Sequence, residues 1–231
     1  MMLDILRNMK EDTCIESRSL ALKDLFQRVM GDNELKSDAN KLDFVMEDGI
    51  QTIVKVISSK GCPSLQVHQG MCILRTIADD SMFHLLSSFD AIGGLAGIVE
   101  LLENHHTEAT VLKDVFFLLY KLMKNEILNY DAEKVLRWMS LFDLLAEGVE
   151  ANLHHVDVFK SFCFFLTINP SPPQELRQRI TLCLRRGLSL HIDDDTCQSI
   201  GQSSLQNYKE QQKRDERSIF SFGINRSAAA A

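Results

Sequence analysis

The sequence lacks the features that mark several functional classes. Its 231 residues include four prolines and one tryptophan, and no apolar run reaches the roughly 18 residues that a membrane-spanning helix needs. The first residues contain neither a basic segment nor a long apolar stretch, so we expect no secretory signal and a cytoplasmic or nuclear location. A net charge of -7 argues against nucleic acid as the main ligand.

Catalytic and redox motifs are also missing. The six cysteines form no CxxC pair, and we expect buried thiols rather than a disulfide framework. There is no nucleophile elbow, P-loop, dinucleotide-binding turn or HExxH helix. Cys72 and Cys163 could act as nucleophiles only beside a base, and their expected neighbours are apolar. We therefore predict a protein that is not an enzyme and has no catalytic residue and no cofactor.

What the sequence does contain is a repeated apolar pattern. MEDGIQTIVKVISSK (46–60) and DAIGGLAGIVELLEN (90–104) match at an offset of 45 residues. The matching positions are Gly49 with Gly94, Ile50 with Leu95, Ile53 with Ile98, Val54 with Val99 and Ile57 with Leu102. The next helix repeats at the same offset, with Ile73, Leu74 and Ile77 matching Leu118, Leu119 and Leu122.

A third copy follows at an offset of 46 residues. Ile98 then matches Leu144, and Phe116, Leu118, Leu119 and Leu122 match Phe162, Phe164, Phe165 and Ile168. A period of about 40 to 47 residues with helical patterns is typical of helical solenoids, because each unit covers its apolar face with the next unit. Glycines precede the middle helix of the first two units, where we expect sharp turns with positive φ.

This unit resembles the armadillo repeat, whose consensus has a glycine-containing turn, an IPxLVxLL-like second helix and an ALxxLxNLA-like third helix. GIQTIVKVISS, GGLAGIVELLE and QGMCILRTIAD carry the resemblance, which covers about residues 40–170; HEAT repeats are similar. It implies an all-α fold, a right-handed α–α superhelix of about three repeats with capping helices. We expect residues 1–198 to form this domain and residues 199–231 to form a polar tail, either mobile or a single helix.

The flanks are expected to close the stack. LALKDLFQRVMG (20–31) has helical apolar spacing, and QELRQRITLCLRRGLSLH (174–191) follows the helix-breaking NPSPP segment. The acidic run Asp193 to Asp195 resembles the start of a further helix.

The resemblance also implies that the third helices line a concave binding face. In armadillo proteins that bind nuclear-localisation signals, this helix carries a Trp and, four residues later, an Asn. The corresponding pairs here are Cys72 and Thr76, Phe117 and Lys121, and Cys163 and Thr167. Import-receptor function is therefore not implied, and Trp138, in a first-helix position, is expected to pack.

An alternative use of this face is a mixed aromatic and cationic surface. The candidate partner-binding residues are Arg75, Phe117, Tyr120, Lys121 and Thr167, with Phe220 and Phe222 in the tail. Such a surface could bind an extended or helical segment with acidic and apolar residues. These side chains could equally be ordinary solvated residues.

Two histidine pairs, His105 with His106 and His154 with His155, precede the long helices of successive units. They could converge on a metal ion, but no cysteine or carboxylate stands at ligand spacing beside them. We expect solvent-facing loop histidines and no metal site.

These features together predict a non-enzymatic adaptor or scaffold that binds another protein or a peptide segment. The alternatives are a constitutive subunit of a larger assembly, a small armadillo cochaperone, and a metal-binding helical protein.

Overall fold

The computed structural model describes residues 2–11, 14–31, 35, 37–78, 94–124, 135–168 and 174–228. Within them are eleven α-helices and no β-strand, which confirms the all-α class. The helices are α1 (Met2–Glu11), α2 (Ile15–Met30), α3 (Asp38–Met46), α4 (Gly49–Ile57), α5 (Ser64–Ala78), α6 (Gly94–His105), α7 (Ala109–Lys124), α8 (Val135–Ala151), α9 (Val156–Ile168), α10 (Gln174–Leu190) and α11 (Asp195–Ala228). The armadillo-like unit also predicts a short first helix at 81–90, and that segment lies outside the described residues.

The helices pack in two layers. In the front layer α2, α5, α7, α9 and α11 each contact the next in that order, and in the back layer α1, α4, α6, α8 and α10 do the same. Each unit thus contributes one helix to each layer: unit 1 is α4 with α5, unit 2 is α6 with α7, unit 3 is α8 with α9, and unit 4 is α10 with α11. Among the described helices, none is long and apolar enough to cross a bilayer.

Burial gives the register of the repeat. Between α5 and α7 the offset of 45 matches buried residues with buried residues, for example Met71 with Phe116 and Leu74 with Leu119. Into unit 3, however, the predicted offset of 46 is wrong by one residue. It would match buried Leu118 with Phe164, which is 45% exposed.

An offset of 47 restores the agreement in unit 3. It matches Val111 with Val158, Leu112 with Phe159, Phe116 with Cys163, Leu118 with Phe165 and Leu119 with Leu166, all of them buried. In the back layer it matches Ile98 with Leu145 instead of the half-buried Leu144. The segment FCFFL (162–166) is apolar at every position, so its pattern does not define which side faces the core.

Gly49 and Gly97 act through close packing, and the positive φ predicted at Gly49 is wrong. The positive φ before α4 belongs to Asp48 (φ 53°) and not to Gly49, which begins the helix. A Cβ atom at Gly49 would overlap the ring of Phe44, and one at Gly97, inside α6, would overlap Val54 of α4. These positions are therefore small because neighbouring helices approach there.

Side chains at the ends of the back-layer helices tie each unit to the preceding one. The Asn104 amide donates to the Ser58 carbonyl at 3.1 Å, and the Asn152 amide donates to the Thr107 carbonyl at 3.0 Å. His191 Nε2 lies 2.8 Å from the Leu153 carbonyl. These bonds satisfy carbonyls at and beyond helix ends that would otherwise lack partners.

The segment expected as a polar tail is largely helix α11, which begins at Asp195. Asp194 caps it by accepting from the Cys197 backbone N–H at 2.8 Å, as the acidic run predicted. The first part of α11 packs on α9, where the Ser204 hydroxyl donates to the Cys163 carbonyl at 3.0 Å and both Ser204 and Tyr208 are buried. The side chains of Phe220 and Phe222 lie outside the described residues.

Candidate functional site

The corrected register aligns two rows of side chains on the front layer. Cys72, Phe117 and Phe164 occupy one equivalent position in units 1, 2 and 3, and Arg75, Tyr120 and Thr167 occupy the position three residues later. None of these six residues is buried. We call this surface of α5, α7 and α9 the front-layer face.

The same contact between units is made twice across this face. The Arg75 guanidinium lies over the Phe117 ring, 3.9 Å from its centroid. One unit later, the Tyr120 ring meets the Phe164 ring edge to face at a centroid distance of 6.2 Å. The first contact is a cation–π interaction and the second an aromatic pair, so equivalent positions hold different chemistry.

A cavity of about 410 Å³ opens between α7 and α9. Its lining residues are Lys113, Phe116, Phe117, Tyr120, Asp157, Lys160, Ser161 and Phe164. The aromatic rings form its apolar wall, and beneath them Phe116 packs against Phe162 and Phe165 at centroid distances of 5.5 and 5.6 Å. The cavity therefore combines an aromatic wall with charged groups, a composition typical of ligand and peptide pockets.

The charged groups at this cavity are partly neutralised within the chain. Lys113 Nζ lies 3.9 Å from Asp157, and Lys160 Nζ lies 2.8 Å from Asp194. The hydrogen bond with Asp194 raises the pKa of Lys160, and the same bond lowers the pKa of Asp194. Both signs of charge are thus available to an acidic or a basic partner group.

The junction between α5 and α7 contains a polar cluster built around Asp114, whose side chain is completely buried. One carboxylate oxygen lies 2.5 Å from His68 Nδ1, and the other accepts from Arg75 Nη1 at 2.8 Å. The other ring nitrogen of His68, Nε2, lies 3.7 Å from Cys72 Sγ. The expectation of apolar neighbours for Cys72 is therefore wrong. Burial and the nearby Asp114 carboxylate raise the pKa of the Cys72 thiol.

The structure brings three of the predicted partner-binding residues together: Arg75, Phe117 and Tyr120 share the front-layer face. Thr167 lies on α9 and is exposed, and its hydroxyl donates to the Phe164 carbonyl at 2.7 Å. The side chains of Lys121, Phe220, Phe222 and Trp138 lie outside the described residues.

Cys163 does not belong to this face. It is buried with a raised pKa, chiefly because of desolvation, which makes it an unreactive thiol. Its predicted equivalence to Phe117 followed from the offset of 46, and Phe164 takes that place.

The first histidine pair differs from the expectation of solvent-facing residues, whereas the second pair agrees with it. His105 ends α6 and is buried rather than solvent-facing, because it follows the apolar stripe of Leu101 and Leu102. Its Nδ1 lies 2.7 Å from a Glu108 carboxylate oxygen. His106 Nε2 lies 3.7 Å from Glu147, so carboxylates do stand beside this pair. His154 and His155 are exposed, with ring centroids 4.1 Å apart.

Sequence reasoning missed Asp114, His68 and Phe164. A usable signal existed for Asp114, since VLKDVFFLLY places it three residues after Val111 and four before Leu118, within the apolar stripe. An acid at that position predicts a buried carboxylate with charged partners.

No family model matches this sequence, and neither the curated proteins nor the solved structures compared with it gave a match.

Proposed function

We propose that this protein is a non-enzymatic adaptor or scaffold with an armadillo-like architecture. In this proposal the two layers form a right-handed superhelix, and the front-layer face is its concave side. The order of the helices in two layers and the offsets of 45 and 47 residues between units support it. A partner protein binds across α5, α7 and α9.

The main support for this proposal is the cavity between α7 and α9. Phe164 is 45% exposed, and it shares the cavity wall with Phe117 and Tyr120. Aromatic residues around a pocket are the common anchors of protein interfaces, because a partner side chain buries large apolar area there. We propose that an apolar or aromatic side chain of the partner fills this cavity.

Acidic residues next to that anchor complete the proposed ligand. Lys113 has a long contact of 3.9 Å with the exposed Asp157, and surface ion pairs of this kind contribute about 0 to 1 kcal/mol. A partner carboxylate can therefore displace Asp157 from Lys113 at little cost. The expected ligand is a segment in which acidic residues flank a large apolar one.

Selection from a random-peptide display library tests the function. We expect enrichment of aromatic-plus-acidic peptides and at least a tenfold loss of their affinity, or about 1.4 kcal/mol, in the Phe164→Ser variant. The matched control is Leu182→Ser on α10 of the back layer, because Leu182 is 46% exposed. Peptides that bind Phe164→Ser as tightly as the wild type, or that lose affinity only for Leu182→Ser, would reject this face.

A further inference from the structure

We propose that His68 and Cys72, positioned by Asp114, bind a divalent transition-metal ion of the zinc class. His68 and Cys72 are four residues apart on α5, so their side chains lie on one face of the helix. In the part of the chain that the structure describes, His68, Cys72 and Asp114 form the one group of three potential ligands, with donor atoms within 4.8 Å of one another.

The spacing of the two donor atoms suits a tetrahedral ion. His68 Nε2 and Cys72 Sγ lie 3.7 Å apart. With a Zn–N distance of about 2.0 Å and a Zn–S distance of about 2.3 Å, tetrahedral geometry separates these ligands by about 3.5 Å. An ion can therefore sit between them without a change in the helix, and imidazole with thiolate is a ligand set that zinc-class ions prefer.

Asp114 supplies the support that metal-bound histidines usually have. Its carboxylate lies 2.5 Å from Nδ1 of His68, which places the imidazole proton on Nδ1 and leaves the Nε2 lone pair facing Cys72. Arg75 holds the other carboxylate oxygen at 2.8 Å. The buried carboxylate is thus fixed from two sides and orients the ring.

The same three residues do not make a good catalytic triad. Cys72 lies in the interior of α5, where backbone N–H groups are already bonded within the helix and do not form an oxyanion hole. The raised pKa of its thiol also opposes a reactive thiolate. A metal site needs no oxyanion hole, and a bound cation itself deprotonates the thiol that coordinates it. Two further coordination positions remain open to water or to a ligand from a partner.

Cobalt(II) titration of the full-length reduced chain tests the site. Cobalt takes the same ligands as zinc and gives a thiolate-to-metal charge-transfer band when a cysteine binds it. We expect one equivalent of tetrahedral cobalt, displaced by zinc, and loss of the band in Cys72→Ser and His68→Gln. Asp114→Asn should weaken binding by about 10- to 100-fold. Cys14→Ser, which alters an exposed thiol outside the cluster, should keep the band.

A second measurement covers the case in which a variant does not fold. Zinc should slow alkylation of Cys72 in the wild-type chain, as followed by peptide mass spectrometry, and leave alkylation of Cys14 unchanged. A missing charge-transfer band, a band that survives in Cys72→Ser, or equal alkylation of Cys72 with and without zinc overturns the proposal.

Discussion

Between units 1 and 2 the front-layer face holds Arg75 over the ring of Phe117, whereas between units 2 and 3 the equivalent positions hold Tyr120 against Phe164. The first junction, which we call the polar junction, also buries the Asp114 carboxylate against its two partly exposed partners, His68 and Arg75. The second, the aromatic junction, packs Phe116 on Phe162 and leaves a cavity above. A repeat thus fixes which positions meet but leaves their chemistry open.

This difference separates two kinds of stability. The aromatic junction depends on area removed from water, which is non-directional. The polar junction depends on a buried charge whose partners must stay in place, because an unpaired carboxylate in the interior is strongly unfavourable. A second substitution should therefore be able to restore stability at the polar junction, by removing the unpaired charge, but not at the aromatic junction.

The largest expected effect comes from removing the ring beneath the aromatic junction. Phe116→Ala deletes a completely buried ring, and we expect a loss of about 3 to 5 kcal/mol in the free energy of unfolding. Urea denaturation monitored by circular dichroism measures it. Phe164→Ala, at a 45% exposed ring, should cost about 1 kcal/mol or less. Equal costs at the two positions would contradict the assignment of Phe116 to the core.

At the polar junction the expected loss is smaller and can be reversed. Arg75→Met removes the guanidinium that holds one carboxylate oxygen of Asp114 and leaves His68 as the other partner, and we expect a cost of about 3 kcal/mol. Adding Asp114→Asn removes the unpaired charge and should recover at least about 1 kcal/mol. If the double variant is as unstable as the sum of the single ones, the carboxylate does not depend on Arg75.

The amide links between units sharpen the comparison, because one is buried and the other exposed. The Asn152 amide donates to Thr107 and Gly148 carbonyls in a buried position, and Asn152→Ala should cost about 1 to 2 kcal/mol. Asn104 makes the corresponding link to Ser58 but is exposed. Asn104→Ala should cost less than about 1 kcal/mol, because water replaces the lost bond. Denaturant midpoints of the two variants in the reverse order would contradict this.

The smallest effect is expected at the junction between units 3 and 4. Its ion pair is partly exposed to solvent and serves as the reference for the buried junctions. Arg179 binds both carboxylate oxygens of Glu150 at 2.8 and 2.7 Å, and this hydrogen bonding lowers the pKa of Glu150. Because the pKa of Glu150 is lower in the folded state, its ionised form stabilises the folded protein at pH values above the ordinary pKa of 4.5. This stabilisation is lost as the pH falls through the folded-state pKa.

Arg179→Met should therefore cost less than about 1 kcal/mol at neutral pH, since Glu150 is 35% exposed and screened by water. The difference from wild type should vanish in thermal unfolding well below pH 4.5. Arg185→Met, at an exposed arginine on the same helix, is the control. If the difference in stability between Arg179→Met and the wild type grows as the pH is lowered, the ion pair does not stabilise the folded state in the way described.

Much of the fold was predictable because apolar spacing is a local property. The all-α class and the offset of 45 between α5 and α7 follow from residues such as Ile73 and Leu118, which recur on one helix face. The offset of 47 residues into unit 3 was not predictable, because the segment FCFFL presents apolar residues on every side and only packing selects the buried ones. Of the residues that the sequence singled out, Arg75, Phe117 and Tyr120 lie together on the front-layer face, whereas the sequence analysis did not single out Asp114 or His68.

By itself, then, the sequence determined the helices, their repetition and the segments that each unit would bury, since periodicity needs no knowledge of the neighbour. Tertiary structure alone decided that His68 meets Asp114, that Phe164 rather than Cys163 faces outward, and that His105 is buried. These facts depend on the rotation and translation of one helix against the next. A change of one residue in register turns a helix by about 100°, enough to exchange a core position for a surface one.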